Sequence, residues 1–227
     1  MVVPMLERKK CPEDALDFRS SDEVVTLARK VISDDAEAIL AVLPSVDASF
    51  VASAEILARC EGKILVTGSG TSGAIANRAA HLLSVGGTPA FSLSPADGLH
   101  GGLGVLRPND VVLAISKGGS SKELNEFCER ARTLSGCLIA ITSDSGSQLA
   151  QLADHVLKLN LPAHTDLGSV MATGSSLAAA ALTDALVEAA RIMRGYSWAQ
   201  VLFTHPSGAV GRDAELTLER LNQAEGL

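Results

Sequence analysis

Short apolar runs alternate along most of the chain with longer segments in which apolar residues recur at helical spacing. The runs predict strands at 63–67, 89–94, 110–115, 137–142 and 155–159. The longer segments predict helices at 22–43, from 44 to about 60, and at 72–86, 120–134, 146–153 and 172–194. Segments 95–108 and 160–171 are predicted as loops. We therefore predict an α/β fold, a five-stranded parallel sheet flanked by helices as an αβα sandwich.

The chain is long enough for one medium domain with a substantial core. No linker and no fixed-period repeat divides it. Residues 1–20 are charged and unpatterned, and we expect a leader that is mobile or lies on a neighbouring subunit. Residues 21–227 are expected to form the domain, ending in a tail that carries His205–Arg212.

Composition limits the partners. Hydrophobic residues make up 47% of the chain but aromatic residues only 3%, so the core must consist of Ala, Leu, Val and Ile. The net charge of -7, without a basic cluster, argues against nucleic acid as the main partner. The amino end lacks the charge order of a signal peptide, and no apolar run reaches membrane-spanning length. We expect a cytoplasmic protein that does not bind a membrane.

The four cysteines are scattered and form no C-x-x-C pair, so we expect neither a disulfide nor a metal site, and we expect no cofactor.

Two turns rich in hydroxyl groups follow two of the predicted strands. The first is Gly68–Gly73 and the second is Ser116–Glu123. Amides at the start of a helix are unpaired and the helix dipole adds positive charge, so such turns can hold an anion. Because the carboxyl ends of parallel strands lie at one edge of a sheet, the two turns can converge on one ligand.

Other interpretations of the turns exist. Each could be an ordinary capped turn, since Ser and Gly suit any such turn. The first also fits G-x-G-x-x-G, which predicts an acidic residue at the end of the next strand to hold a ribose. The next strand carries none, and Asp97 comes later, in the predicted loop. A phosphate monoester therefore fits better than a dinucleotide.

The two turns, Asp97–Gly104 and His205–Arg212 together resemble the sugar isomerase (SIS) domain, in its arabinose 5-phosphate isomerase branch, from about residue 22 to 213. The resemblance implies a five-stranded parallel sheet, a phosphosugar ligand, and dimers or tetramers whose active sites are shared between subunits. Family members often carry trailing CBS modules. This chain stops before any could fit, so we expect it to lack that regulation.

The resemblance implies that the phosphate is held by Ser72 in the first turn and by Ser116 and Ser121 in the second. We add the other hydroxyl and backbone groups of the turns as candidates for substrate binding: Ser69, Thr71, Gly118 and Ser120. The resemblance also suggests that Asp97 binds sugar hydroxyls or orients His100.

The chain departs from the family pattern at two positions. Thr71 stands where the family typically has lysine, and Ser120 stands where it has a glutamate favoured for proton transfer. Lys117, inside the second turn, could replace the missing cation. The alternative is an ordinary solvated surface lysine.

Interconverting an aldose and a ketose phosphate requires a base and an electrophile, and histidine suits proton transfer near neutral pH. His100 and His205 match family histidines of suspected catalytic role. His164 and Asp166 could supply the acid–base function lost at Ser120. A loop histidine can equally be a structural hydrogen-bonding residue.

We therefore predict a sugar-phosphate aldose–ketose isomerase that works through an enediol, with His100, His205, Lys117 and His164 as catalytic candidates. Two alternatives stay open: a phosphosugar-binding module without catalysis, and deamination or ether cleavage of an amino-sugar phosphate. Neither the sugar's length and stereochemistry nor the oligomer count follows from the sequence.

Overall fold

The computed structural model describes residues 20–207 and 214–224. Its centre is a five-stranded sheet in the order β2-β1-β3-β4-β5, with every neighbouring pair parallel. The strands are β1 (Ile64–Thr67), β2 (Ala90–Ser92), β3 (Val111–Ile115), β4 (Cys137–Thr142) and β5 (His155–Lys158). This confirms the predicted parallel sheet. Successive strands are added on opposite sides of β1, so the order reverses between β1 and β3.

Helices connect and cover the strands. They are α1 (Ser21–Leu40), α2 (Ala48–Arg59), α3 (Thr71–Val85), α4 (Pro95–Leu99), α5 (Lys122–Arg132), α6 (Gln148–Leu152), α7 (Gly174–Met193), α8 (Trp198–Thr204) and α9 (Ala214–Ala224). Short 3-10 helices lie at Leu43–Ser45 and Gly102–Val105. In the described part of the chain, no single helix is long and apolar enough to cross a membrane; the bent pair Ser21–Ser45 and Ala48–Arg59 meets that test only together.

The core has one layer on each face of the sheet. Alternate strand residues pack against α1, α2, α3 and α7 on one face, and against α4, α5 and α6 on the other. Every residue of β1 and β3 is buried, as expected for central strands covered on both faces. Small buried alanines of α7, such as Ala178 and Ala190, allow this helix to pack closely against α1, α2 and α3.

The prediction of an unstructured loop at 95–108 was wrong. The segment contains α4 and then the 3-10 helix at Gly102–Val105. Ser94 is the N-cap of α4, and its Oγ accepts a hydrogen bond from the Asp97 amide at 3.1 Å. Pro95 in the first turn of α4 favours the helix. Gly98 lies inside this helix and further glycines follow it, so the sequence of the segment favours a loop.

The predicted tail contains further helices. α8 begins at a capping box in which Ser197 and Gln200 bond each other's backbone amides, and α9 follows. Residues 1–19 of the predicted leader, and residues 208–213 of the tail motif, lie outside the described residues.

Candidate functional site

The first turn is built by close backbone contact at Gly68. A Cβ atom at this position would lie 2.8 Å from the carbonyl oxygen of Ser72 and 3.0 Å from that of Ile115. Ile115 ends β3 and leads directly into the second turn. The two predicted turns therefore meet where the strand order reverses, the position at which open α/β sheets bind ligands. Thr71 is exposed and Ser72 half-buried at the start of α3.

The second turn is shaped by its own hydroxyl groups. Ser116 Oγ accepts the Gly119 amide at 3.2 Å, and Ser120 Oγ donates to the Gly118 carbonyl at 3.1 Å. Ser121 is the N-cap of α5, where its Oγ lies 3.5 Å from the Leu124 nitrogen. Ser116 and Ser121 keep part of their surface open. These two hydroxyls can therefore also reach a ligand.

Buried polar groups beneath the second turn hold its backbone in place. Thr142 Oγ1 and Ser143 Oγ donate to the Lys117 carbonyl at 3.0 and 2.7 Å. The buried Asn125 donates from Nδ2 to the Gly119 carbonyl at 3.1 Å. The turn therefore has its shape before any ligand binds, which lowers the entropy lost on binding. Sequence reasoning missed these supports, although an asparagine on the apolar face of α5 is a detectable signal.

One hydroxyl of the first turn lacks a hydrogen bond. Among the described residues, Ser69 Oγ is buried with no hydrogen-bond partner. Burying a hydroxyl without a partner costs free energy, and unsatisfied groups of this kind are rare in native proteins. At a helix-opening turn, a bound anion would supply the missing acceptor.

Lys117 lies in the second turn and forms an ion pair across the site. Its Nζ is 2.7 Å from Oδ2 of Asp166, in the loop before α7. The Asp166 side chain is 4% exposed and that of Lys117 is 44% exposed. Burial by itself would raise the pKa of the Asp166 carboxyl, but hydrogen bonds from Lys117 and Ser175 outweigh burial and hold the pKa below its ordinary value. Asp166 is therefore ionised at neutral pH.

The local field at this edge of the sheet favours anions. α3, α5 and α7 all begin at the carboxyl ends of the strands, and each contributes the positive end of its dipole. At the start of α7, the Ser175 amide donates a hydrogen bond to Asp166 Oδ1 at 2.9 Å. The openings of α3 and α5 are left facing the junction of the two turns.

His100 and His164 lie on opposite sides of the sheet. His100 follows α4 beyond β2, and His164 follows β5, where its Nε2 lies 3.2 Å from Glu37 Oε2. β2 and β5 are the edge strands, four spacings or about 19 Å apart. One small ligand cannot bridge both residues within a single chain.

Asp97 has a structural partner of its own. Its Oδ2 accepts the hydroxyl of Ser94 at 2.6 Å, and its amide bonds the same side chain at the start of α4. Within the described residues no hydrogen bond joins Asp97 to His100. Asp97 thus stabilises the helix that presents His100, and its contact with a sugar stays a prediction.

His205 comes from the other end of the domain. Beyond α7, Arg194 bonds the Cys60 carbonyl and Thr88, near the amino ends of β1 and β2, and α8 and His205 follow. Its Nδ1 is buried without a hydrogen-bond partner among the described residues, and no hydrogen bond there joins it to either turn. Contacts among the described residues thus join the two turns and Lys117, and they do not include His205.

The described cysteines do not offer a nucleophile. Burial raises the pKa of Cys128 to about 12, and burial with the nearby charge of Asp154 raises that of Cys137 to about 11. Burial also raises the pKa of Cys60, whose Sγ donates to the Asn109 carbonyl at 3.4 Å. These thiols are protonated at neutral pH and lie away from the two turns.

Comparison with known families and sequences gives consistent matches. The model of the SIS domain matches residues 56–189. Arabinose 5-phosphate isomerase GutQ of Salmonella typhi is 37% identical over 162 residues, which cover 71% of this chain and 50% of the relative. Arabinose 5-phosphate isomerase KdsD of Pseudomonas aeruginosa is 32% identical over 201 residues, covering 88% and 62%. The chain thus spans about half the length of the curated relatives it matches.

Two solved structures share the fold over nearly the same region. A candidate sugar-phosphate isomerase from Listeria monocytogenes superposes with a TM-score of 0.79 and 31% identity, covering 84% of this chain and all of that one. An E. coli CFT073 protein in complex with arabinose 5-phosphate superposes with a TM-score of 0.78 and 25% identity, covering 83% of this chain and all of that one.

Proposed function

Because the chain belongs to the SIS domain family, we propose that it binds a sugar phosphate and interconverts its aldose and ketose forms. The observation that carries this proposal is the junction of two hydroxyl-rich turns at Gly68 and Ile115, with the Ser69 hydroxyl buried and unpartnered, among the described residues, beside it. Relatives named arabinose 5-phosphate isomerases support the same class of reaction.

The phosphate is held at the carboxyl edge of β1 and β3. Ser69, Thr71 and Ser72 donate from the first turn, and Ser116, Ser121 and the Gly118 amide from the second. Ser120 can donate to the phosphate only by giving up its bond to the Gly118 carbonyl. The dipoles of α3 and α5 add positive charge where these groups converge. Lys117 supplies the positive charge that the family's lysine, replaced here by Thr71, would otherwise provide.

The reaction runs through an enediol. A base removes the proton from the carbon next to the carbonyl while the carbonyl oxygen gains a proton, which gives the enediol. The same proton or one from solvent is then added to the former carbonyl carbon, and the neighbouring hydroxyl loses its proton to become the new carbonyl. A hydrogen-bond donor stabilises the enediolate oxygen meanwhile. We assign these tasks to His100 and to His205 of a neighbouring subunit, because His205 is remote from the turns of its own chain. His164, bonded to Glu37 beyond β5, is the weaker candidate.

Arabinose 5-phosphate is the first substrate to test, because it is the sugar in the names of the curated relatives. Thr71 and Ser120 replace the lysine and glutamate of the family pattern beside the proposed phosphate site. The preferred sugar can therefore differ from arabinose 5-phosphate in length or stereochemistry. The site hydroxyls recognise the phosphate, which all these sugars share.

The test is proton NMR of the purified protein in heavy water with a panel of C4 to C7 sugar phosphates that includes arabinose 5-phosphate. We expect exchange of the proton beside the carbonyl and formation of the partner sugar with at least one of them. Ser116→Ala serves as the weakened control, with lower occupancy at the same substrate concentration.

The remaining outcomes point elsewhere. Binding seen by calorimetry without exchange would leave a phosphosugar-binding module and refute catalysis. Release of ammonia or of an ether-linked group from an amino-sugar phosphate would indicate a different reaction. Absence of both binding and exchange across the panel would refute the proposal altogether.

A further inference from the structure

A cluster formed by Lys117, Asp166 and Ser175 joins the second turn to the start of α7. We propose that Asp166 is a positioning residue, which holds the ammonium group of Lys117 where a bound phosphate needs it. This inference rests on the proposed function, since it assumes that the turns bind the phosphate of a sugar.

The carboxylate is held in place by α7, independently of Lys117. Oδ1 accepts the Ser175 amide at 2.9 Å and Oδ2 accepts the Ser175 hydroxyl at 2.8 Å. Thr173, the N-cap residue of α7, makes no side-chain capping bond. Asp166 therefore performs the capping task from outside the helix, and its position is defined by the helix terminus.

The loop reaches this position because Gly174 has no side chain. A Cβ atom there would lie 2.5 Å from the Thr165 carbonyl oxygen, so any other residue would push the loop away from α7. Thr165 is itself held by a bond from its Oγ1 to the Pro162 carbonyl at 2.5 Å. The backbone leading into Asp166 is thus fixed.

The lysine, by contrast, needs a partner to be ordered. Its side chain is 44% exposed, and a free lysine has many accessible rotamers that must be restricted when it holds a ligand. The carboxylate takes one of the three N–H donors of the ammonium, at 2.7 Å. Two donors are left for a ligand.

Space for a ligand lies next to this lysine. Lys117 borders an open cavity of about 700 Å³ at the carboxyl ends of β4 and β5, lined also by Ser143, Lys158 and Asn160. No carboxylate of the described residues lines it. The ammonium of Lys117 is therefore accessible to an anion in this cavity.

This role differs from the acid–base role that the sequence suggested for Asp166. A carboxylate that accepts three hydrogen bonds and is 7% exposed is poorly suited to exchange protons with a substrate. Its lone pairs are directed at the protein instead.

The experiment measures calorimetric dissociation constants of inorganic phosphate and arabinose 5-phosphate for wild type, Asp166→Asn, Lys117→Met and the double variant. We expect Lys117→Met to weaken phosphate binding about tenfold or more. Asp166→Asn is expected to weaken it by about fivefold, and the double variant to bind no more weakly than Lys117→Met alone. Lys117→Arg is expected to restore most of the affinity lost in Lys117→Met.

The sign of the Asp166→Asn effect is diagnostic. Removing a nearby negative charge strengthens anion binding by electrostatics alone, so tighter binding would overturn the positioning role. Unchanged affinity, or losses that simply add in the double variant, would overturn it as well. Asparagine keeps the shape and an acceptor for the Ser175 amide. If Asp166→Asn fails to fold, Ser175→Ala loosens the carboxylate with its charge intact and is expected to weaken binding in the same direction.

The chain contains a matched control. Asp110 is also buried, pairs with a lysine (Lys63 Nζ at 2.6 Å) and accepts backbone amides, but it lies at the amino ends of β1 and β3. Asp110→Asn is expected to lower stability without changing phosphate affinity. Turnover in the NMR assay is a separate readout. If the wild type binds phosphate without turnover, catalysis is refuted but the positioning role of Asp166 can still be tested. If the wild type binds neither ligand, both the proposed function and the role of Asp166 are refuted.

Discussion

The buried hydroxyl of Ser69 has opposite effects on folding and on ligand binding. In the free protein it is a desolvated polar group without a partner among the described residues, so it weakens the fold. A group kept in such a state at the junction of two helix-opening turns is best explained by a ligand. Stability and affinity should therefore respond to its removal in opposite directions.

Ser69→Ala is expected to leave the free energy of unfolding unchanged or to raise it by up to about 1 kcal/mol, while it weakens arabinose 5-phosphate binding about tenfold. Denaturant unfolding and calorimetry measure the two quantities. Ser53→Ala is the control, because Ser53 Oγ is buried and donates to the Ser49 carbonyl at 2.8 Å. That variant should lose about 1 kcal/mol of stability and no affinity. A Ser69→Ala protein with full affinity would contradict the assignment.

His205→Ala is expected to lower kcat by about 100-fold or more with little change in KM, because it removes a proton-transfer group and no phosphate contact. Steady-state kinetics on the substrate identified by NMR gives both constants. His81→Ala, an exposed histidine in the middle of α3, is the comparison and should behave as wild type. Intact turnover in His205→Ala would remove His205 from the mechanism.

At the scale of elements, the second turn depends on one backbone conformation. Gly119 has a φ of +60°, and a Cβ atom there would collide with the side chain of Ser147, which caps α6. The carbonyl of Gly119 also accepts the Leu149 amide at 3.1 Å. The turn after β3 is thus locked to the loop after β4.

Gly119→Ala is expected to destabilise the fold by about 2 kcal/mol or more and to abolish phosphate binding, through the positive φ and the overlap with Ser147. Gly118→Ala is the matched control for stability. No atom lies within 4 Å of the added methyl group at Gly118, and its φ is not positive, so the free energy of unfolding should stay within about 0.5 kcal/mol. Equal stability of the two variants would contradict this account of the turn.

In the molecule as a whole, α1 has more apolar surface than the described residues cover. Ala38 is buried against the domain, but Val25, Ile32 and Ile39 recur every seven residues and are 46%, 70% and 38% exposed. Ile192 near the end of α7 is 62% exposed. Side chains of this kind are typical of subunit interfaces, in agreement with the predicted dimer or tetramer.

Ile32→Glu is therefore expected to shift the protein toward monomers in light-scattering measurements, with Lys30→Glu, an exposed position on the other side of the same helix, as the control. If active sites are shared, the variant should lose turnover together with its oligomeric state. A wild type that is monomeric at micromolar concentration would contradict both expectations.

Acid should destabilise the molecule through two buried carboxylates. Burial would raise the pKa values of Asp110 and Asp166, but hydrogen bonds from Lys63 and Lys117 and from backbone amides lower both in the folded state. The unfolded chain then binds protons more readily, so stability is present above about pH 3.9 and falls as the pH drops toward the folded pKa values. Urea unfolding between pH 6 and 3 measures this. Asp110→Asn should show a shallower loss, and an identical slope would refute the contribution of Asp110.

Features that depend on local chemistry could be predicted from the sequence alone. The predicted bounds of β1, β3, β4 and β5 agree with the structure to within one residue. The runs of β1, β3 and β4 are largely apolar because these strands are covered on both faces. The hydroxyl-rich turns after β1 and β3 were recognisable because glycine and serine are what a helix-opening anion site needs. The short helices α4 and α8 were not predicted; in α4, Gly98 and the glycines that follow it favour a loop.

Only the tertiary structure decided which of these groups meet. Asp166 and Lys117 are separated by 49 positions, and their contact depends on a loop whose path is set by the missing side chain of Gly174. The strand order placed His100 and His164 at opposite edges of the sheet, and burial left Ser69 without a partner among the described residues. Such relations arise from packing between distant segments, and local pattern carries no information about distances across the sheet.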